Sequence, residues 1–165
     1  RQNVTHSADP YLTRPGEHLV LEGYRYWSTG IITGDYGHWE EAWNLFAVQL
    51  GTKDGRLALD ALTKFTKTLG LSSVAPLRTS PVGCCHLCKD EVLILGLLSG
   101  IQHDDQTALT LCLDGLSCPK RCEEVLHSAE SLATILRTLG KVLLPVPAGT
   151  IKAILTENIS TTTLQ

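Results

Sequence analysis

Near Gly34 the hydrophobic pattern changes period, and that change most limits what this chain can fold into. Upstream, Leu19 and Leu21, then Tyr24 and Tyr26, fall on alternating positions around Gly23, and Ile31 and Ile32 follow Gly30. A period of two sends successive side chains to opposite faces of a strand. Aromatic and β-branched residues between turn glycines therefore predict two or three short antiparallel strands over 18–33. Downstream, Trp39, Trp43, Phe46 and Leu50 recur at helical spacing, with Glu40 and Glu41 in the first turn and Gly51 just past the last. Acidic residues at the start and glycine at the end suit the dipole and the cap of a helix.

The same two periods organise the rest of the chain. A second helix is expected after Asp54, with Ala58, Leu62, Phe65 and Leu69 on one face and Gly70 as its stop. Residues 71–83, with Pro76 and Pro81, read as a loop. The apolar run Val92 to Leu98 fits a buried helix or a buried strand. Thr107 to Leu113 alternates and predicts a strand closed by Asp114-Gly115. The clearest helix comes next, with Ser117 as cap, Pro119 in the first turn, and Glu123 and Glu124 behind it. Its stripe is Cys122, Val125, Ala129, Leu132, Leu136 and Leu139, stopped by Gly140. The expected fold class is α+β, a small antiparallel sheet packed with several helices. The expected organisation is a loosely ordered polar arm over 1–16, a single globular domain over 17–155 and a frayed polar tail over 156–165.

At 165 residues the chain is long enough to bury a sizeable core, and 43% hydrophobic against 19% charged residues excludes a disordered class. Its net charge is −3, and its lysines and arginines form no basic stripe, so no nucleic-acid partner is expected. The longest apolar run falls short of the roughly 18–20 residues that cross a bilayer, so no transmembrane segment is expected. The chain begins at Arg1 and contains no Met. A trimmed fragment and proteolytic release from a precursor both account for that.

All six cysteines lie between Cys84 and Cys122, and three readings stay open. Cys85 and Cys88 with Cys118 and Cys122 have spacings that let thiolates share a zinc ion. An even count, with glycosylation sequons at Asn3-Val4-Thr5 and Asn158-Ile159-Ser160, points to disulfides and secretion. Cys112 in the alternating run and Cys122 on the helix stripe fit reduced, buried cysteines. A reactive thiol needs its pKa lowered by a helix N-terminus or a basic neighbour. Cys118, before the clearest helix, and Cys85, opening a helix near residue 84, are the two positions. Trp27, Trp39 and Trp43 either fill the core or present an aromatic surface to a partner.

Arg14-Pro-Gly-Glu-His-Leu-Val-Leu21, Tyr24-Arg-Tyr-Trp27 and Gly30-Ile-Ile-Thr-Gly-Asp-Tyr36 together resemble the start of the H-box/NC proteins, the lecithin retinol acyltransferase-like group. Gly83-Cys-Cys-His-Leu-Cys88 resembles that group's Asn-Cys motif at a helix start. The resemblance covers about half the chain in two pieces. It implies a fold related to permuted papain-like hydrolases and a Cys nucleophile, activated by His, that attacks an acyl ester or thioester. Cys85 takes the nucleophile's place. Tyr26 stands at the His position and Cys84 at that of Asn, and a phenol cannot serve as imidazole does near neutral pH. His38 or His18 is left as substitute base, so the implied site is degenerate and catalysis is uncertain.

Thr161-Thr-Thr-Leu-Gln165 looks like a site of the chymotrypsin-like cysteine proteases of picornaviruses and coronaviruses. Some picornaviruses encode a 2A protein of the H-box/NC type. The resemblance thus implies a viral non-structural polyprotein product in the cytoplasm of the infected host cell. It would bind host or viral proteins and carry no cofactor. The alternative is a zinc-stabilised protein-interaction module without catalytic ancestry.

Overall fold

In a computed structural model, which describes residues 10–164 and the side chains of 10–156, the chain is helical. Its helices are α1 (Pro15–Thr33), α2 (Gly37–Leu50), α3 (Thr52–Ser72), α4 (Lys89–Gln102), α5 (Gln106–Leu116), α6 (Cys122–Thr138) and α7 (Ala148–Leu164). Helix accounts for 76% of the chain and no strand occurs among the described residues. The expected α+β class, with its antiparallel sheet and papain-like relation, is therefore corrected to an all-helical bundle.

Both misread stretches are helices without a clean stripe. Over its first half α1 is buried on every side: Leu19, Val20, Leu21 and Tyr24 are all at most 1% exposed. A helix enclosed all round has no polar face to set a period of 3.6, so chance alternation imitates a strand. Its glycines are not turns. Gly23 lies against Leu62 and Phe46, where any Cβ would collide. In α5 the buried positions are Ala108, Cys112, Leu113 and Leu116, a helical spacing hidden by intervening apolar residues. The Asp105 side chain accepts a 3.1 Å bond from the Ala108 N–H and caps the helix.

Val92 to Leu98 belongs to α4, the axis of the molecule, where every residue from Leu93 to Gly100 is buried. Helices α5, α6 and α7 surround it and α1 touches it. The sequential packing of α1, α2 and α3 forms the other half, and α3 lies along α6 to join the two. Phe65, Leu69, Ala129 and Leu132 along these two helices are at most 1% exposed. Fully burying a side chain as large as Phe or Leu contributes about 1.5–3 kcal/mol. Before α6, Pro119–Arg121 forms a 3₁₀ turn, so Ser117 closes α5 instead of capping α6.

A strap without regular secondary structure over 141–147 follows the turn that closes α6. Gln102 fixes it: its carbonyl accepts from Leu143 N–H at 2.7 Å, and its amide donates to the Lys141 and Ala133 carbonyls. From the other side Tyr11 donates to the Pro145 carbonyl, Arg14 to that of Val142, and Leu144 N–H donates to Glu17. Residues 10–13, expected in a loose arm, form a helical turn. Residues 1–9, with the Asn3 sequon, lie outside the described residues, as do Gln165 and the side chains of the Asn158 sequon. No helix among the described residues is long and apolar enough to cross a membrane.

Two glycines test this packing in opposite directions. A Cβ at Gly55 would sit 2.7 Å from the Phe46 carbonyl oxygen, whereas one at Gly70 meets nothing. Gly55→Ala is expected to lower the unfolding free energy by about 1–3 kcal/mol. Gly70→Ala should raise it by about 0.5–1 kcal/mol. Urea unfolding followed by circular dichroism measures both.

Candidate functional site

Between α3 and α4 runs a long loop, 73–88, that carries three of the six cysteines. Loops of this length in compact domains usually carry function, and this one needs something to hold it. Arg25 does so from α1. Its side chain is 0% exposed, and all five of its N–H donors are used. Nε and one terminal nitrogen grip the Glu91 carboxylate at 2.7 and 3.1 Å, a bidentate pair. The other donors reach Glu22 at 3.0 Å and the carbonyls of Cys84 and His86 at 3.0 and 2.8 Å.

The carboxylates are filled from the loop as well. Glu91 accepts from the Ser80 and Cys88 N–H groups, and Glu22 from that of Gly83. Burial alone raises the Glu91 pKa, but the bonds from Arg25 and the backbone of Cys88 and Ser80 outweigh it and hold the carboxyl below its usual value. Arg25 is driven the other way: burial lowers its pKa, and Glu91 and Glu22 more than restore it. Tyr24 adds a 2.7 Å bond to the Arg78 carbonyl.

Cys85 sits on this pinned loop with an exposed side chain and no hydrogen bond. It does not open a helix, because α4 starts only at Lys89. The cysteine at the helix start is Cys88, whose thiol is pushed up to about 11 by burial and the Glu91 carboxylate, the reverse of activation. His38, the expected substitute base, heads α2 and pairs with Asp35 at 3.9 Å. Arg25, which touches the Cys84 carbonyl, lies about 12 Å along the axis from the end of α1. His38 follows that end in the chain, and among the described residues no hydrogen bond joins it to Cys85. Tyr26 is half-buried on α1, its phenol pKa raised by burial and by Glu22 and Glu41. His18 is half-buried in the first turns of α1.

Cys118 precedes the 3₁₀ turn, and the Cys122 thiol donates to its carbonyl at 3.5 Å. Among the described residues no group of three or more His, Cys, Asp or Glu side chains is gathered for a metal ion, the Cys85, Cys88, Cys118 and Cys122 quartet included. All six cysteines are free thiols. Cys112 is a core residue, its pKa pushed up to about 12 by burial and Asp105.

A second feature is raised in part by the sequence, where Trp27, Trp39 and Trp43 stand open between core and aromatic surface. Trp27 and Ile31 of α1, Trp39 and Ala42 of α2, and Leu59, Thr63 and Lys67 of α3 line an open apolar groove of about 340 Å³. The Trp39 indole N–H donates to the Trp27 carbonyl at 3.2 Å, and Gly30 lets that ring lie flush against α1. Tyr36 packs against Trp39 with ring centroids 5.0 Å apart. Ile31 is 55% exposed and Ile32 72%, so this end of the bundle presents aliphatic surface to solvent. Thr63 and Lys67 also line a second, adjoining hollow with Asp60, Lys64, Thr68 and Leu71. Trp27 and Ile31 are spaced i, i+4, a signal available only once α1 is read as a helix. Trp43 instead lies under the Arg56 guanidinium, 5.0 Å from its ring centre.

Comparison of the chain with protein-family models, curated proteins and solved structures finds no match.

Removing one partner from a buried ion pair strands the other, so Arg25→Met is expected to cost about 3–5 kcal/mol in urea unfolding. The pH dependence has a fixed sign. The Glu91 pKa is lowered on folding, so its stabilisation is fully present above the unfolded value of about 4.3 and is lost as pH falls through the folded one. Glu91→Gln should flatten the decline in the urea midpoint below about pH 4.5. In native alkylation at neutral pH, Cys85 should be labelled first, with Cys88 and Cys112 lagging; faster labelling of Cys88 would contradict its raised pKa.

Proposed function

We propose that this chain is a protein-interaction module whose binding face is the groove between α1, α2 and α3. The observation that carries the reading is that groove's composition: two indoles, Ile31 and Leu59 line one open hollow at the surface. Contiguous exposed apolar surface rimmed by polar residues marks interaction sites. Trp and Tyr are the residues that most often anchor protein interfaces. The thiol site supports binding over catalysis. Cys85 has neither a base in hydrogen-bond reach nor a helix N-terminus behind it, so nothing in the described residues activates it. The partner is a protein of the host or virus, as the resemblance implies for its group.

A photo-crosslinking residue placed at Thr63, on the groove wall, tests this in cells producing the chain, with Thr134 on the exposed side of α6 as the control position. A protein adduct is expected from Thr63, none from Thr134, and loss of the adduct in Ile31→Gln. Equal capture from both positions, or none from Thr63, would overturn the reading.

A further inference from the structure

The groove's charge and length say what kind of segment it takes. Its wall is α3, and from Leu59 to Leu71 that wall measures about 18 Å, the length of a helix of about 12 residues. Along it Leu59, Thr63 and Lys67 follow at successive turns, Leu71 extends the line by one more, and Asp60 and Lys64 stand beside it. Lys64 and Lys67 are exposed, one turn apart, and neither takes part in an ion pair among the described residues. Lys67 thus lines the apolar groove and Lys64 the adjoining hollow, with Asp60 the one carboxylate beside them, so the edge carries an excess of positive charge.

We propose, resting on the interaction reading above, that the groove's occupant is an amphipathic helix of a partner protein, with apolar anchors one turn apart and acidic residues along the edge facing Lys64 and Lys67. An amphipathic helix laid in a groove presents anchors at i, i+3 or i+4, and i+7, matching floor positions contributed by parallel helical walls. A strand would need an exposed sheet edge to pair with, and the described residues contain no sheet. A proline-rich segment needs donors for its free carbonyls, and the Trp39 indole N–H is already spent on Trp27. Acidic residues on the helix edge would meet the lysine ammonium groups at the rim, where complementary charge sets orientation and encounter rate.

Selection from two peptide pools on the intact chain tests the assignment. One pool holds amphipathic helices of roughly 12–16 residues, enough to span the wall at 1.5 Å per residue, with random charge on the flanks. The other holds proline-rich peptides of the same length. The helical pool is expected to yield binders that blue-shift tryptophan emission, with acidic flanks enriched about tenfold over basic ones. On the Lys64→Glu/Lys67→Glu variant that preference should reverse, and raised salt should weaken the wild-type selection. Both lysines are exposed, and unchanged circular dichroism of the variant confirms that it is folded. Helical binders without charge preference, or enrichment of the proline-rich pool alone, would overturn this assignment while leaving an interaction groove in place. If no binder from either pool depends on Ile31 and the Thr63 crosslinker captures nothing, the interaction reading falls with it.

Discussion

The structure turns on one buried guanidinium. Arg25 lies on a helix enclosed by other helices, where an unpaired charge would be intolerable, and every hydrogen-bonding direction it has is met. Two of its partners are carboxylates and two are backbone carbonyls of the loop ahead of α4. The loop could not follow this path without Arg25, and Arg25 could not be buried without the loop. That reciprocity sets where α4 begins, and α4 is the axis around which α5, α6 and α7 pack.

Such a network is not simply a source of stability. Desolvating three charged groups costs several kcal/mol per ion, and the bonds regain it only because the set is complete. Its effect is on arrangement. The carboxylates of Glu22 and Glu91 are two positions of opposite origin, one on α1 and one in the first turn of α4, and Arg25 brings both to the same point. Glu17, by contrast, is buried with one carboxylate oxygen left without a partner, while its other oxygen holds Arg14 and the strap. The strap is thus secured from both sides, by Tyr11, Arg14 and Glu17 on one and on the other by Gln102, an uncharged side chain that meets both backbone polarities at once.

What could be read in the sequence tracks the degree of enclosure. Helices α2, α3 and α6 border solvent, so their stripes and acidic first turns are visible in the order of residues, although α3 runs through its expected stop at Gly70 to Ser72. The first half of α1 and most of α4 are enclosed and carry no polar face from which to count 3.6 residues. Helix α5 exposes Gln106, Thr107, Thr110 and Asp114, but the apolar residues between them imitate alternation. The loop before α4 and the cysteines on it were legible, since Pro, Gly and Cys mark themselves. Their chemistry was not, because thiol activation depends on where a helix starts, and the capping position fell on Cys88 instead of Cys85. The link from Arg25 to Glu91, 66 residues apart in the chain, leaves no local trace. The sequence offered Trp27, Trp39 and Trp43 as core or surface without deciding, because the spacing of Trp27 and Ile31 means nothing until that segment is helical.

Helix α3 packs against both halves of the bundle, α1 and α2 on one side and α6 on the other. One face forms the groove wall and the other lies along α6, the seam between the two halves of the bundle. Backbone opening in such a fold proceeds by cooperative units, and a helix shared by two of them opens only when both give way. Whatever rests in the groove therefore lowers the population of openings that would release α6 as well. Occupancy at one end of the molecule would register as slowed amide exchange on a helix that touches no ligand.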